Sequence, residues 1–231
     1  MNNIENDFYI KPLLEFLYSK DSIIDIELIK KAAYFAKKYH GIQKRKSGEP
    51  YYSHPVEVAI LLAENCFAYM QNYFTTETIA AALLHDTIED TELTLENLKL
   101  EFGEIIATYV EDLTRIKTCG KKITAGESIE KLFIEGKTSS IIIKMFDRIH
   151  NLQTINAKSE KSIKKTVDET LKDFIPILIT LETPELLHKL TELCYKSLNV
   201  NIIDFTYKNI INIKDNSQPL SLTLKNEKFP K

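Results

Sequence analysis

Apolar residues recur at three- and four-residue spacing through most of the chain, a period that predicts helices rather than strands. Between Ile26 and Tyr39, the residues Ile29, Ala32, Ala33, Phe35 and Ala36 form one stripe between lysines, and Gly41 follows as a C-cap. QKRKSGEPYYSHP comes next and turns at Gly48 and Pro50. His54-Pro55 then opens a helix at Val56, because proline suits a first helical turn. Thr76-Glu77 starts an apolar helix that is expected to run on through HDTIED, residues 85–90. Thr94 to Asn97 begins another that stops at Phe102-Gly103, and Glu104 to Arg115 forms the next. Lys117 to Gly126, with two glycines and several lysines, reads as a loop. Ile141–Ile155, Ile163–Leu181 and Pro184–Leu198 read as three further helices. No period-two alternation and no internal repeat is evident before residue 200, so the fold class is all-α. The pattern predicts one domain over 1–198. The tail 199–231, rich in Asn, Lys, Ser and Pro, reads as a partly disordered extension.

Composition narrows the function classes. With 231 residues, 44% of them hydrophobic, the chain has material for a sizeable core. A net charge of -3, with no long basic block, argues against duplex nucleic acid as a partner. Cys66, Cys119 and Cys194 form neither a metal-binding pair nor an even disulfide framework, which favours reduced intracellular thiols. The first residues lack a basic segment followed by an apolar core, and no run approaches the ~18 apolar residues of a membrane span. A cytoplasmic protein with no membrane role is expected.

The candidate chemistry lies where polar residues interrupt apolar helices. His85, Asp86, Glu89 and Asp90 crowd the end of an apolar run, and carboxylates so close together repel one another unless a cation sits among them. His54 and Asp147, each beside an apolar stretch, are the best candidates to complete a metal site. Two imidazoles and two carboxylates suit one borderline divalent ion such as Mn²⁺, Fe²⁺ or Zn²⁺. Glu89 and Asp90 would then orient or deprotonate a water. A lone His-Asp pair is more often a cap or a surface contact; the constellation carries the argument. Arg45, Lys46 and Ser47, within ten residues of His54, suggest a phosphorylated ligand. His40 and His188 read as packing or exposed residues, and His150 as a bond to nearby backbone or to the loop near Asn151.

In order along the chain, HGIQKRKSGEPYYSHP, AALLHDTIEDT, FGEIIATYVEDLTRIK and IIIKMFDRIHNLQTI resemble the HD-domain hydrolase module of the Rel/Spo family of alarmone enzymes. The resemblance runs from about Ile24 to Leu198. It implies an HD-domain helical bundle that hydrolyses guanosine 3′-diphosphate 5′-di- or triphosphate (guanosine tetra- or pentaphosphate) with Mn²⁺, releasing pyrophosphate and GDP or GTP. By motif position it makes His54, His85, Asp86 and Asp147 the metal ligands and Glu89 and Asp90 the catalytic acidic pair. It likewise makes Arg45, Lys46, Ser47, Asn151 and Thr154 substrate contacts, with Arg45 against the guanine. Gln153, Glu130 and Arg115 depart from the family pattern, the first two by losing a positive charge. A phosphohydrolase of another nucleotide, or an alarmone-binding protein without turnover, are the alternative readings. No synthetase activity is expected, because larger family members carry that domain beyond the stretch that matches.

Overall fold

The computed structural model describes residues 4–20, 24–115 and 122–199, and those residues form helices joined by short turns. They are α1 (Lys11–Tyr18), α2 (Ile26–His40), α3 (Ser53–Tyr69), α4 (Thr76–Leu84), α5 (Thr87–Asp90), α6 (Leu95–Leu113), α7 (Ala125–Ile134), α8 (Thr138–Gln153), α9 (Glu160–Glu169), α10 (Ile175–Thr180) and α11 (Pro184–Ser197). Among the described residues no strand forms, as the apolar period requires. The expected extension from residue 200 onward, Cys119 and the first half of the expected loop, 117–121, lie outside the described residues.

At the centre stands α4. Ile79 to Leu84 are all fully buried, so this helix is apolar on every side, packed among α2, α3, α6 and α8. Its start is specified locally: the Thr75 hydroxyl accepts from the Thr78 backbone N–H while the Thr78 side chain reaches back to Thr75. The predicted stripe of α2 is buried in full, and Asp25 caps it by accepting from Leu28 N at 3.0 Å. Helix α3 begins at Ser53, ahead of the predicted Val56. Pro55 sits in its first turn, where the missing N–H has no partner to lose. An N-terminal anchor, absent from the predicted elements, ties α1 to this group: buried Asp7 accepts from the Tyr52 hydroxyl at 2.8 Å, from Tyr9 N at 3.0 Å and from Lys37 at 2.6 Å.

Two expectations change. The helix expected to carry HDTIED ends at Leu84, and a new single turn, α5, starts at Thr87. The reason is side-chain competition for the last carbonyls: His85 Nδ1 takes Ala82 O at 2.8 Å and Thr87 Oγ1 takes Leu84 O at 2.6 Å. Helix α7 occupies the end of the expected loop. Its signal was present in the sequence as Thr124-Ala125-Gly126-Glu127, a capping box in which each end satisfies the other.

The break predicted at Phe102-Gly103 exists as a kink inside α6, where Gly103 takes φ 82°, a conformation that side-chain-bearing residues rarely adopt. The single helix expected over 163–181 is α9, a π-turn at Thr170–Phe174 and α10 in succession. Gly126 of α7 rests directly on that turn, since a Cβ there would lie 2.1 Å from Asp173 Oδ2. Buried Cys66 and Cys194 are free thiols, and burial pushes them up to about 12 and about 11. Among the described residues no helix is long and apolar enough to cross a membrane.

Candidate metal and nucleotide site

The start of α3, the α4–α5 break and the middle of α8 bring His54, His85, Asp86 and Asp147 to one point. His54 Nε2 lies 3.1 Å from Asp147 Oδ1 and 3.7 Å from Asp86 Oδ2. His85 Nε2 lies 3.2 Å from Asp86 Oδ1 and 3.8 Å from Asp147 Oδ1. One ligand atom each from His54, His85 and Asp147 falls within 4.8 Å of the others, a cluster able to hold a metal ion.

The fit to a cation shows in the protons. Because His85 Nδ1 donates to Ala82 O, its buried Nε2 is the atom that faces the Asp86 and Asp147 carboxylates, and a bound cation would take the place of the proton that they hold there. Burial lowers the His85 imidazole, but Asp86 and Asp147 outweigh it and lift the group to about 9. Burial works in the opposite direction on Asp86 and Asp147, yet the two histidines hold both carboxyls well below the usual range. Two buried carboxylates held charged beside two imidazoles are an environment a divalent ion would stabilise. The site thus fits one divalent cation through imidazole nitrogen and carboxylate oxygen.

His150 has a different place from the one expected. Its ring stacks on His54 with centroids 4.8 Å apart, and the two Nδ1 atoms are 2.6 Å apart. Burial, reinforced by His54 and Arg45, pushes His150 down to about 3, so the ring is neutral near pH 7. With His54 Nε2 turned to a cation, the Nδ1 proton of His54 has His150 Nδ1 as its acceptor. His150→Phe keeps the stack and removes that acceptor. Affinity for Mn²⁺ by calorimetric titration is expected to fall by about 10–100-fold, the usual effect of losing a residue that orients a metal-bound histidine.

Around the cluster opens a cavity of about 520 Å³, within the size range of small-ligand sites. Arg45, Lys46, Ser47, Glu89, Asp90, Asn151 and Thr154 all line it, together with the four metal-ligand candidates. Arg45 reaches Thr154 Oγ1 at 3.2 Å, joining the loop before α3 to the end of α8. Asn151 donates to Asp147 Oδ1 at 2.6 Å and so orients that carboxylate as well as facing the cavity. The acidic pair divides. Glu89 accepts from the Arg115 backbone and guanidinium, both at 3.0 Å, and also pairs with Lys122. Burial opposes its charge, but Lys122 and Arg115 hold the Glu89 carboxyl below its ordinary range. Asp90 is exposed and its Oδ2 accepts from the Tyr51 hydroxyl at 2.8 Å.

Several lining residues were not singled out from the sequence. Tyr51 bridges Asp90 and Asp86, donating at 2.8 and 3.1 Å, and stacks on buried His40 at 4.7 Å. Lys122, Lys144, Arg148 and Lys158 add positive charge to the wall. Lys144 and Arg148 carried a signal, as isolated cations inside the apolar run IIIKMFDRI. Gln153 and Glu130, the two departures that lose a positive charge, are exposed and lie outside the cavity lining. Their lost charges therefore do not bear on a ligand held there.

Comparison with known proteins agrees with this geometry. A family profile described as HD domain matches residues 32–177. Over 174 residues the chain is 38% identical to guanosine-3′,5′-bis(diphosphate) 3′-pyrophosphohydrolase of Aquifex aeolicus, across 74% of this chain and 24% of that protein. It is 35% identical over 177 residues to the GTP pyrophosphokinase rsh of Brucella ovis, across 74% of this chain and 23% of that one. A GTP pyrophosphokinase of Streptomyces coelicolor is 30% identical over 201 residues, across 84% and 23%. The chain thus spans about a quarter of the length of these curated relatives. Among solved structures, a metazoan orthologue of SpoT, described as hydrolysing ppGpp and acting in starvation responses, superimposes with a TM-score of 0.57 at 20% identity. That match covers 75% of this chain and 97% of the other and establishes a shared fold.

Proposed function

Because the chain belongs to the HD-domain family, we propose that it is a cytoplasmic Mn²⁺-dependent hydrolase of guanosine 3′-diphosphate 5′-di- or triphosphate. Pyrophosphate and GDP or GTP are the products. The observation that carries the reading is the convergence of His54, His85, Asp86 and Asp147 beside Asp90 in a cavity rimmed by Arg45, Lys46 and Arg115. A cavity with carboxylates on one side and cations around it suits a nucleotide whose phosphates are the reacting part.

In this reading His54, His85, Asp86 and Asp147 hold the ion. When bound, a divalent ion polarises phosphoryl oxygens and makes nearby water more acidic. Asp90, whose Oδ2 is oriented by Tyr51, accepts a proton from the attacking water. The water oxygen forms a bond to the phosphorus attached to the ribose 3′-oxygen, and the bond from that phosphorus to O3′ breaks. The departing O3′ takes up a proton, so that water is added across the ester in balance. Arg45 stacks on or pairs with the nucleotide, Lys46 and Ser47 contact its phosphates, and Thr154 fixes the Arg45 guanidinium. Asn151 steers Asp147. Glu89 moors Arg115 and Lys122 at the rim, where they face the phosphates.

The direct test is pyrophosphate release from guanosine tetraphosphate by the purified protein, with Mn²⁺ and with a chelator. Manganese-dependent release is expected. No release with the tetraphosphate nevertheless bound would replace the hydrolase by a binding protein. Release from other nucleotides but not this one would replace its substrate.

A further inference from the structure

Lys144 stands one helical turn before Asp147 on α8, and its side chain is 5% exposed. It faces the cavity, and the contact recorded for its Nζ is a marginal one to Leu113 O at 3.5 Å. Among the described residues no carboxylate lies within ion-pair distance of it. Three other cations of the wall have partners: Arg115 and Lys122 pair with Glu89, and Arg148 pairs with Glu169 at 2.8 Å and lies over the face of Phe174 at 4.2 Å, while Lys158, without an ion pair among the described residues, is only half-buried. An ammonium buried without a direct ion pair is costly, and burial drives Lys144 below the ordinary lysine range, with Asp147 opposing the shift and Arg115 and Arg148 adding to it. The fold thus keeps a buried cation that among the described residues has no direct ion pair, on the wall that carries the metal-ligand carboxylates. Packing does not require the charge, because a methionine would fill the same apolar surroundings.

We propose that Lys144 is the anchor of an inner anion subsite that grips the diphosphoryl group transferred to water. This deepens the hydrolase reading and rests on it for the identity of the transferred group. Lysine acts on phosphate as a compact point charge, and a site that gives it no direct ion pair leaves that charge available to the arriving anion. The subsite selects two linked phosphates over one: the first lies at the metal cluster, and the second is the group that meets Lys144. Substrates carrying a single 3′-phosphate therefore lose this contact.

The test uses inorganic pyrophosphate and inorganic phosphate as the titrated ligands, with the Mn²⁺-loaded 231-residue chain, so that no turnover is required. Lys144→Met is expected to weaken pyrophosphate binding at least tenfold. Phosphate binding and Mn²⁺ affinity should stay within twofold of the wild type, and Tm should be unchanged or higher, since an unpaired buried charge has been removed. Lys144→Gln provides a second variant of similar length, with the same expected loss. Lys161→Met, an exposed lysine on α9 outside the cavity, should leave pyrophosphate affinity unchanged. Unaltered pyrophosphate affinity in both Lys144 variants overturns the proposal, as does an equal loss of phosphate binding. A wild-type protein that binds pyrophosphate through Lys144 yet releases none from guanosine tetraphosphate would instead overturn the hydrolase reading and leave the subsite standing.

Discussion

Asp86→Asn is expected to abolish Mn²⁺ binding and, with it, pyrophosphate release. Asp86 is the junction of the cluster: one oxygen lies 3.2 Å from His85 Nε2, the other lies 3.7 Å from His54 Nε2 and accepts from the Tyr51 hydroxyl at 3.1 Å. Asparagine keeps the volume but removes the charge that a divalent ion needs, and its amide N–H₂ presents protons to the ion. Turnover should drop by more than about 10³-fold, the upper end of what one lost preorganised electrostatic contact produces. Calorimetric Mn²⁺ titration alongside the release assay checks both halves. Wild-type metal affinity in the variant would show that the ion is held elsewhere.

The second large effect separates the two members of the acidic pair. Asp90→Asn should lower kcat by about 10²–10⁴-fold with KM nearly unchanged, because a proton acceptor works in the transition state and adds little to ground-state binding. Glu89→Gln should leave metal bound but raise KM as well as lower kcat, since the charge holding Arg115 and Lys122 at the rim is lost. Steady-state kinetics of the two variants, together with their Mn²⁺ affinities, distinguishes the roles. Metal loss in Glu89→Gln equal to that in Asp86→Asn would overturn the division between residues that hold the ion and residues that serve the water and the phosphates.

Both predictions rest on residues legible in the sequence. Their separate tasks are not legible there, because HDTIED as a string treats its acids alike. The mooring of Glu89 by Arg115 depends on the end of α6, 26 residues away, and the orientation of Asp90 depends on Tyr51, 39 residues away.

The amino-acid order by itself determined the all-helical class, the buried stripe of α2, the central apolar α4 and the kink near Gly103. Each of these follows from spacing or caps within a few residues. The candidate ligand types were also legible, since two imidazoles and clustered carboxylates at the ends of apolar runs suggest a cation. Only the tertiary structure decided that α4 stops at Leu84, that His150 backs His54 from 96 residues away and that Gln153 and Glu130 lie outside the cavity lining. It alone showed Lys144 as a buried cation with no direct ion pair among the described residues. The physical reason is range: periodicity records which face of a helix avoids water, whereas the pairing of charges depends on which helices meet, and packing between distant segments sets that.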